Sequence, residues 1–346
     1  MKFIVGYPLK RNEDFLDTVL LYREHIREVY FSWGDFPNGR HAPTDAEEET
    51  LFERQARQLE DLSRLCKTGI SANLLFNGNC YGAESLSRTL FHRIGNTVSF
   101  LRERLPVTCV TTSSPLIARF LHENFTGIDV RASVNMEIGT PEGASYVASY
   151  FDSLYVKREC NRDRKALLRM RAWCEANGKE MLLLANSGCL RFCSAHTFHD
   201  NLVAHESEIA KMDNGYDFHG ICHAFLSENK SAYLERGCFI RPEDIPLYEE
   251  FTPAVKLATR VSPNPSRVLS AYVRGEYSGS LPALLEPDHT ALFFPNVLEN
   301  ARLPKDFGTR VLHCDKNCTA CGYCERAFRD GCIDLGGYNI ADSKND

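Results

Sequence analysis

Eight times along the chain a short apolar run gives way to helical patterning, and no other feature limits the possible folds so sharply. Strand-like runs fall at residues 3–6, 29–33, 72–76, 107–111, 128–134, 154–156, 181–185 and 254–261. Helical patterns cover 13–26, 46–66, 85–105, 114–124, 161–177 and 266–273, and Thr140-Pro141 starts a further helix. Phe15, Leu16, Val19, Leu20 and Tyr22 recur at helical spacing, Thr44 or Asp45 serves as cap for the second helix, and Gly178 stops the 161–177 helix. Such repetition builds a parallel sheet covered by helices, either doubly wound and open or closed into a barrel. Eight units favour closure. The expected architecture is a (β/α)8 TIM-like barrel over residues 1–285 with a cysteine-rich, metal-binding C-terminal extension over 286–346.

In a parallel barrel the ligand site lies at the carboxyl ends of the strands. Those ends present Trp33, Asp35, Asn77, Asn79, Ser113, Asn135, Glu137, Lys157, Arg158, Asn186, Cys189 and Arg260. Polar residues also start ordinary surface loops. Glu137 and Arg260 adjoin apolar runs, which places them near the mouth, where they pair with each other or hold a polar substrate. Glu137, Lys157 and Arg260 therefore separate an enzyme from a non-catalytic subunit, since replacing them harms only the former.

The seventh run, Met181 to Ala185, breaks at Asn186-Ser187-Gly188 and delivers Cys189 and Cys193 off the strand end. Cys222 and Cys238 complete a set of four thiolates, enough for a tetrahedral zinc or a [4Fe-4S] cluster. A tighter group follows the barrel: Cys314, Cys318, Cys321, Cys324 and Cys332, spaced x3, x2, x2 and x7. Thiols so close around short turns wrap one metal centre, a second iron–sulfur cluster or a zinc knuckle. Cys314, Cys318 and Cys321 also have the spacing of radical S-adenosylmethionine enzymes, which carry it near the start of their barrel. Cys66, Cys80, Cys109, Cys160 and Cys174 stand alone and read as buried small hydrophobic residues. His196, His199 and His205 follow Cys193, where an imidazole beside a cluster moves protons; His199 equally suits a helix cap.

Composition narrows the function classes. A net charge of -6 with pI near 6.0 gives no general attraction for a polyanion, so DNA is not an expected partner. No apolar run reaches the roughly 18 residues of a membrane helix, and the first residues lack a signal-peptide layout, so a cytoplasmic location is expected. Fourteen cysteines in such a chain read as metal ligands rather than disulfides because they cluster. A serine-protease elbow and a zincin helix motif are both missing from the sequence.

The order of these elements resembles the peptidase U32 family, the collagenase-like proteases. The matching features are Gly188-Cys189 after the seventh strand, Cys238 ahead of Asp244-Ile245-Pro246, and Lys256-x3-Arg260 before the last helix, over about residues 1–285. The resemblance implies a [4Fe-4S] cluster at the barrel mouth, carried over to Cys189, Cys193, Cys222 and Cys238. It also implies a redox modification of the oxygen-independent hydroxylation kind, known in that family on quinone precursors and RNA bases, on a small or macromolecular substrate. An electron donor or a family-related partner subunit goes with that reading. Proteolysis, the family's older label, and a non-catalytic iron–sulfur subunit are the alternatives. Two features depart from the family: its first two cysteines are further apart than the x3 found here, and the cysteine tail lies outside its common core.

Overall fold

The computed structural model describes residues 1–8, 10, 12–40, 50–218 and 220–336. Eight strands, β1 (Lys2–Gly6), β2 (Ile26–Ser32), β3 (Ser71–Phe76), β4 (Val107–Thr112), β5 (Asp129–Ala132), β6 (Ser153–Tyr155), β7 (Glu180–Leu184) and β8 (Ala254–Leu257), pair in chain order, all parallel. β8 pairs back onto β1 and closes the barrel. The crossovers carry α1 (Glu13–Leu21), α2 (Leu51–Cys66), α3 (Arg88–Arg102), α4 (Pro115–Asn124), α5 (Pro141–Ser145) and α6 (Arg164–Ala176). A long excursion between β7 and β8 holds α7 (His196–Ala204), α8 (Glu206–Ile209), α9 (Ile221–Glu228) and α10 (Ala232–Arg236), and α11 (Pro265–Arg274) follows β8.

Strand parity divides the core in two. Val5, Phe31, Leu74, Val110, Leu183 and Val255 face outward against the helices, while Ile4, Tyr30, Leu75, Tyr155, Leu182 and Ala254 fill the barrel. Toward the amino ends of the strands the interior is polar instead. Arg131 is fully buried there, paired with Glu28 and with Asp129 at 2.6 Å, and its Nε donates to Ser153 at 2.8 Å. Asn73 donates to Glu28 at 3.1 Å and accepts from Thr111 at 3.0 Å, which satisfies the layer internally.

The extension adds α12 (Thr290–Phe293), β9 (Asn296–Leu298), α13 (Phe307–Leu312), α14 (Cys318–Cys321), α15 (Tyr323–Gly331) and β10 (Cys332–Asp334), with β9 and β10 antiparallel. Leu298, Leu303, Phe307 and Leu312 join the outer core of the barrel, so the extension is packed onto it.

Local hydrogen bonds move several boundaries from their expected places. The 13–26 helix stops at Leu21, because a 3-10 turn over Arg23–His25 intervenes and Ile26 is spent on β2. Ser87 caps α3 by accepting from Leu90 N–H, so the 85–105 helix begins at Arg88. Asp163 caps α6, which frees Asn161 to point inward. The last strand ends at Leu257 rather than at residue 261, since Thr259 turns to bond Gly6 and Asn186 Oδ1 accepts from Ala258 N–H at 2.6 Å. The expected cap at Thr44 or Asp45 lies outside the described residues; α2 begins at Leu51 under a capping box formed by Thr50 and Glu53.

Candidate functional site

The loops after β5, β6 and β7 meet at the carboxyl end of the barrel around a cavity of about 360 Å³ lined by Glu137, Lys157, Arg158, Cys189, Cys193, His196 and Cys238. Backbone bonds place the thiols: Cys238 N–H donates to Cys189 O at 3.2 Å, and Ile240 N–H donates to Ala185 O at 2.8 Å. Asn161, fully buried, clamps the same corner by donating to Leu184 O and Cys238 O, both at 2.8 Å. Asn186 is a second clamp, bonding Ala258 O and Leu284 O at 3.0 Å, so its place at the strand end is structural.

Electrostatics couples Cys189 to Cys238 and to Cys222, and Cys193 to Cys222. Burial pushes Cys238 well up, and the charge of Cys189 adds to it; burial also raises Cys222, followed by Cys189 and Cys193. Among the described residues no three His, Cys, Asp or Glu side chains converge as they would on a single metal ion.

Charged groups close the cavity. Glu137 binds Lys157 and Arg158, each at 3.1 Å, and Arg158 Nη2 donates to Asn135 at 2.7 Å. Glu137 and Arg260 do not meet as the sequence suggested, because Glu137 turns away in a left-handed conformation (φ 56°) into the Lys157–Arg158 pair. Arg158 Nη1 lies 2.5 Å from His196 Nε2; an arginine can only donate, so Nε2 accepts and the ring proton sits on Nδ1, 3.6 Å from Glu137. Burial and then Arg158 lower the His196 pKa, which keeps the ring neutral. His199 lies inside α7 against the Phe218 ring, and burial followed by Arg40 lowers it as well. His196, not His199, is the imidazole on the cavity wall.

Beside this cavity the barrel mouth narrows to about 50 Å³ among Tyr30, Arg40, Asn77, Asn135, Arg158, Lys256, Arg260 and Glu286. Arg40 Nε donates to Glu286 at 2.9 Å. The sequence marked Lys256 only as part of the Lys256-x3-Arg260 element and gave it no role of its own. Its ammonium lies 4.1 Å from the Tyr30 ring centre and 5.1 Å from that of Tyr155, and burial, with Arg260 and Arg131 next, lowers its pKa to about 7. Gly6 makes room for this group of side chains, since a β-carbon there would stand 2.5 Å from Arg260 Cγ and 2.6 Å from Tyr30 Cζ.

The tail thiols gather separately. Cys314, Cys318, Cys321 and Cys324 line a cavity of about 430 Å³ with Glu235, His313 and Tyr323. Burial pushes Cys324 up to about 11, and Cys314 and Cys318 act on it too. Cys332 stands apart at the start of β10, paired with Leu298. Arg162, fully buried, links the groups: Cys324 and Cys238 both act on its charge, while its Nη1 donates to Leu234 O at 2.6 Å. Nε and Nη2 of Arg162 and Nε of Arg191 are buried without hydrogen-bond partners. Orphaned guanidinium donors beside thiols are what sulfide or thiolate acceptors satisfy. The three non-glycine residues with positive φ among the described residues, Glu137, Phe192 and Lys316, all sit at these two sites.

The chain is 24% identical over 280 residues, 79% of its length and 80% of the other's, to an uncharacterized protease of Methanocaldococcus jannaschii. Its fold matches a solved U32 peptidase with a TM-score of 0.54 at 18% identity, covering 75% of this chain and 92% of that one. No protein-family model matches the chain. The likeness to a U32 peptidase is thus one of fold, and the likeness in sequence is to a protein named only as a protease.

Proposed function

We propose that this relative of the U32 peptidases is an iron–sulfur redox enzyme whose Cys189, Cys193, Cys222 and Cys238 hold a [4Fe-4S] cluster at the barrel mouth. What supports the reading is that Cys189, Cys193 and Cys238 line one cavity at the strand ends, with Cys222 within electrostatic reach of Cys189 and Cys193, and that Arg162 and Arg191 have buried donors left without acceptors. Such a cluster supplies single-electron transfer or a Lewis-acidic iron. The chain's own groups do the rest. Arg40, Arg158 and Arg260 with Asn77 and Asn135 bind an anionic or carbonyl oxygen, and a mouth of about 50 Å³ admits one such group rather than a whole substrate. Lys256, with its pKa near 7, takes or gives a proton there at neutral pH. His196 carries a proton on Nδ1 toward Glu137. The tail cysteines Cys314, Cys318, Cys321 and Cys324 hold a second metal centre, iron–sulfur or zinc, and the modification is of the oxygen-independent hydroxylation kind.

Protein purified without oxygen should show a broad visible absorption band that dithionite bleaches and a mild oxidant restores; a colourless, iron-free protein would end this reading. The names of the two similar proteins favour a second reading, peptide-bond hydrolysis. The two separate at Cys189, because a thiolate that ligates iron cannot also attack a carbonyl.

A further inference from the structure

The tail thiols and the rim thiols meet across one short stretch of chain. Glu235, near the end of α10, lines the tail cavity, and Cys238, three residues on, lines the rim cavity. Three residues span at most about 11 Å even when fully extended, so the two cavities lie close together. Hydrogen bonds tie this stretch to the rim loop along its length. Arg191 N–H donates to Arg236 O at 2.7 Å, Leu190 bridges Gly237, and Cys238 N–H donates to Cys189 O at 3.2 Å. Arg191, which falls between Cys189 and Cys193 in the chain, also donates from Nη2 to Glu235 O at 2.6 Å.

A second connection runs through side chains. The Arg162 guanidinium lies 4.5 Å from the ring centre of Phe239, the residue after Cys238, and 5.5 Å from that of Phe307. Phe307 stacks on Tyr323 at 6.3 Å, and Tyr323 lines the tail cavity beside Cys324. Lys316 of the tail pairs with Asp163, next to Arg162. Arg162 and Arg191 are both buried with donors left unmet, a costly state unless negative charge faces them, and two thiolate centres supply that charge. The tail also opens outward, since Cys321 is exposed while Cys238 is buried. Cys318-x2-Cys321-x2-Cys324 is the bacterial ferredoxin run, whereas zinc has no redox chemistry and would give this closeness no electronic use.

We propose that Cys314, Cys318, Cys321 and Cys324 hold an iron–sulfur centre that takes electrons from a one-electron carrier and hands them to the rim centre, which makes the extension the electron entrance of the molecule. This rests on the redox reading of the rim. The step moves one electron and no atoms: the carrier is oxidised by one electron, the tail centre is reduced and then reoxidised, and the rim centre ends reduced by one electron. No bond forms or breaks. The Phe239–Arg162–Phe307–Tyr323 contacts and the Glu235–Cys238 backbone are the packed medium between the two centres.

The test is electron paramagnetic resonance of the full-length, anaerobically prepared protein after dithionite reduction, with iron and zinc counted on the same sample. The expected result is about eight irons per chain and a broadened signal from two interacting centres. Cys321→Ala keeps about four irons and shows the narrow signal of one isolated centre. Bleaching of the rim band by the methyl viologen radical cation, which becomes the dication as it gives up its electron, slows about tenfold in that variant, for a barrier higher by one factor of ten in rate. Zinc in the tail, two non-interacting signals in the native protein, or unslowed bleaching in Cys321→Ala would each overturn the proposal. The native spectrum decides without any variant, even where Cys321→Ala fails to fold. Native protein without iron would sink the redox reading and this proposal with it; about four irons beside a zinc-bound tail would sink this proposal alone.

Discussion

Lys256→Met replaces a buried ammonium by a side chain of similar length that does not titrate. In the folded protein Lys256 has a pKa of about 7 against an ordinary 10.5, with burial as the main cause and Arg260 and Arg131 adding repulsion. Between those two values the unfolded chain holds a proton that the folded chain has shed, so the lysine makes stability rise with pH across that window. At pH 7 the unmet preference for the charged form costs about 4 kcal/mol, and about 2 kcal/mol of it is recovered by pH 9. Lys256→Met escapes this cost. Urea midpoints of the two proteins, taken without oxygen at pH 6, 7, 8 and 9, should place the variant above the wild type at neutral pH, with the gap shrinking by about 2 kcal/mol from pH 7 to pH 9. All other titrating groups are common to both proteins, so the difference isolates Lys256. A gap that stays constant with pH refutes the reasoning, because Lys256 would then be charged through neutrality like a surface lysine.

Other substitutions probe the scaffold and the sites. Gly6→Ala puts a methyl 2.5 Å from Arg260 Cγ and should cost about 1–3 kcal/mol in urea unfolding; wild-type stability would show that the mouth repacks freely. Arg131→Met strands the buried Glu28 carboxylate and should cost about 3–5 kcal/mol, and adding Glu28→Gln should return part of it. A double variant no more stable than the single one contradicts that pairing. Arg162→Met removes the charge between Cys238 and Cys324, so the visible band of the anaerobic protein should decay faster in the presence of an iron chelator; an unchanged decay would leave the orphaned guanidinium without a role.

The barrel was legible because its signal is local and repeated: each strand is an apolar run, each helix a periodic one, and both survive small boundary errors. The boundaries themselves were not, since they hang on bonds such as Thr259 to Gly6, which join residues 253 positions apart. The tail cysteines were grouped by their spacing, and Cys314, Cys318, Cys321 and Cys324 line one cavity, but that Cys324 and Cys238 both act on Arg162 was not readable, because Arg162 sits in a turn ahead of α6 with no local mark. Lys256 left a faint trace: it shares strand parity with Ala254, which faces the barrel interior, so a charge inside β8 was readable once that face was known. The pairing of Glu137 with Arg260 failed because strand ends alone do not tell which way a left-handed turn sends its side chain.

The central claim is that the four rim cysteines hold iron, and the most direct test is iron, sulfide and zinc content per chain of protein purified without oxygen, beside Cys238→Ala and Cys321→Ala. The account predicts that Cys238→Ala removes about four irons and their sulfide, while Cys321→Ala leaves about that number in place. Native protein without iron, or iron that survives Cys238→Ala undiminished, would contradict it.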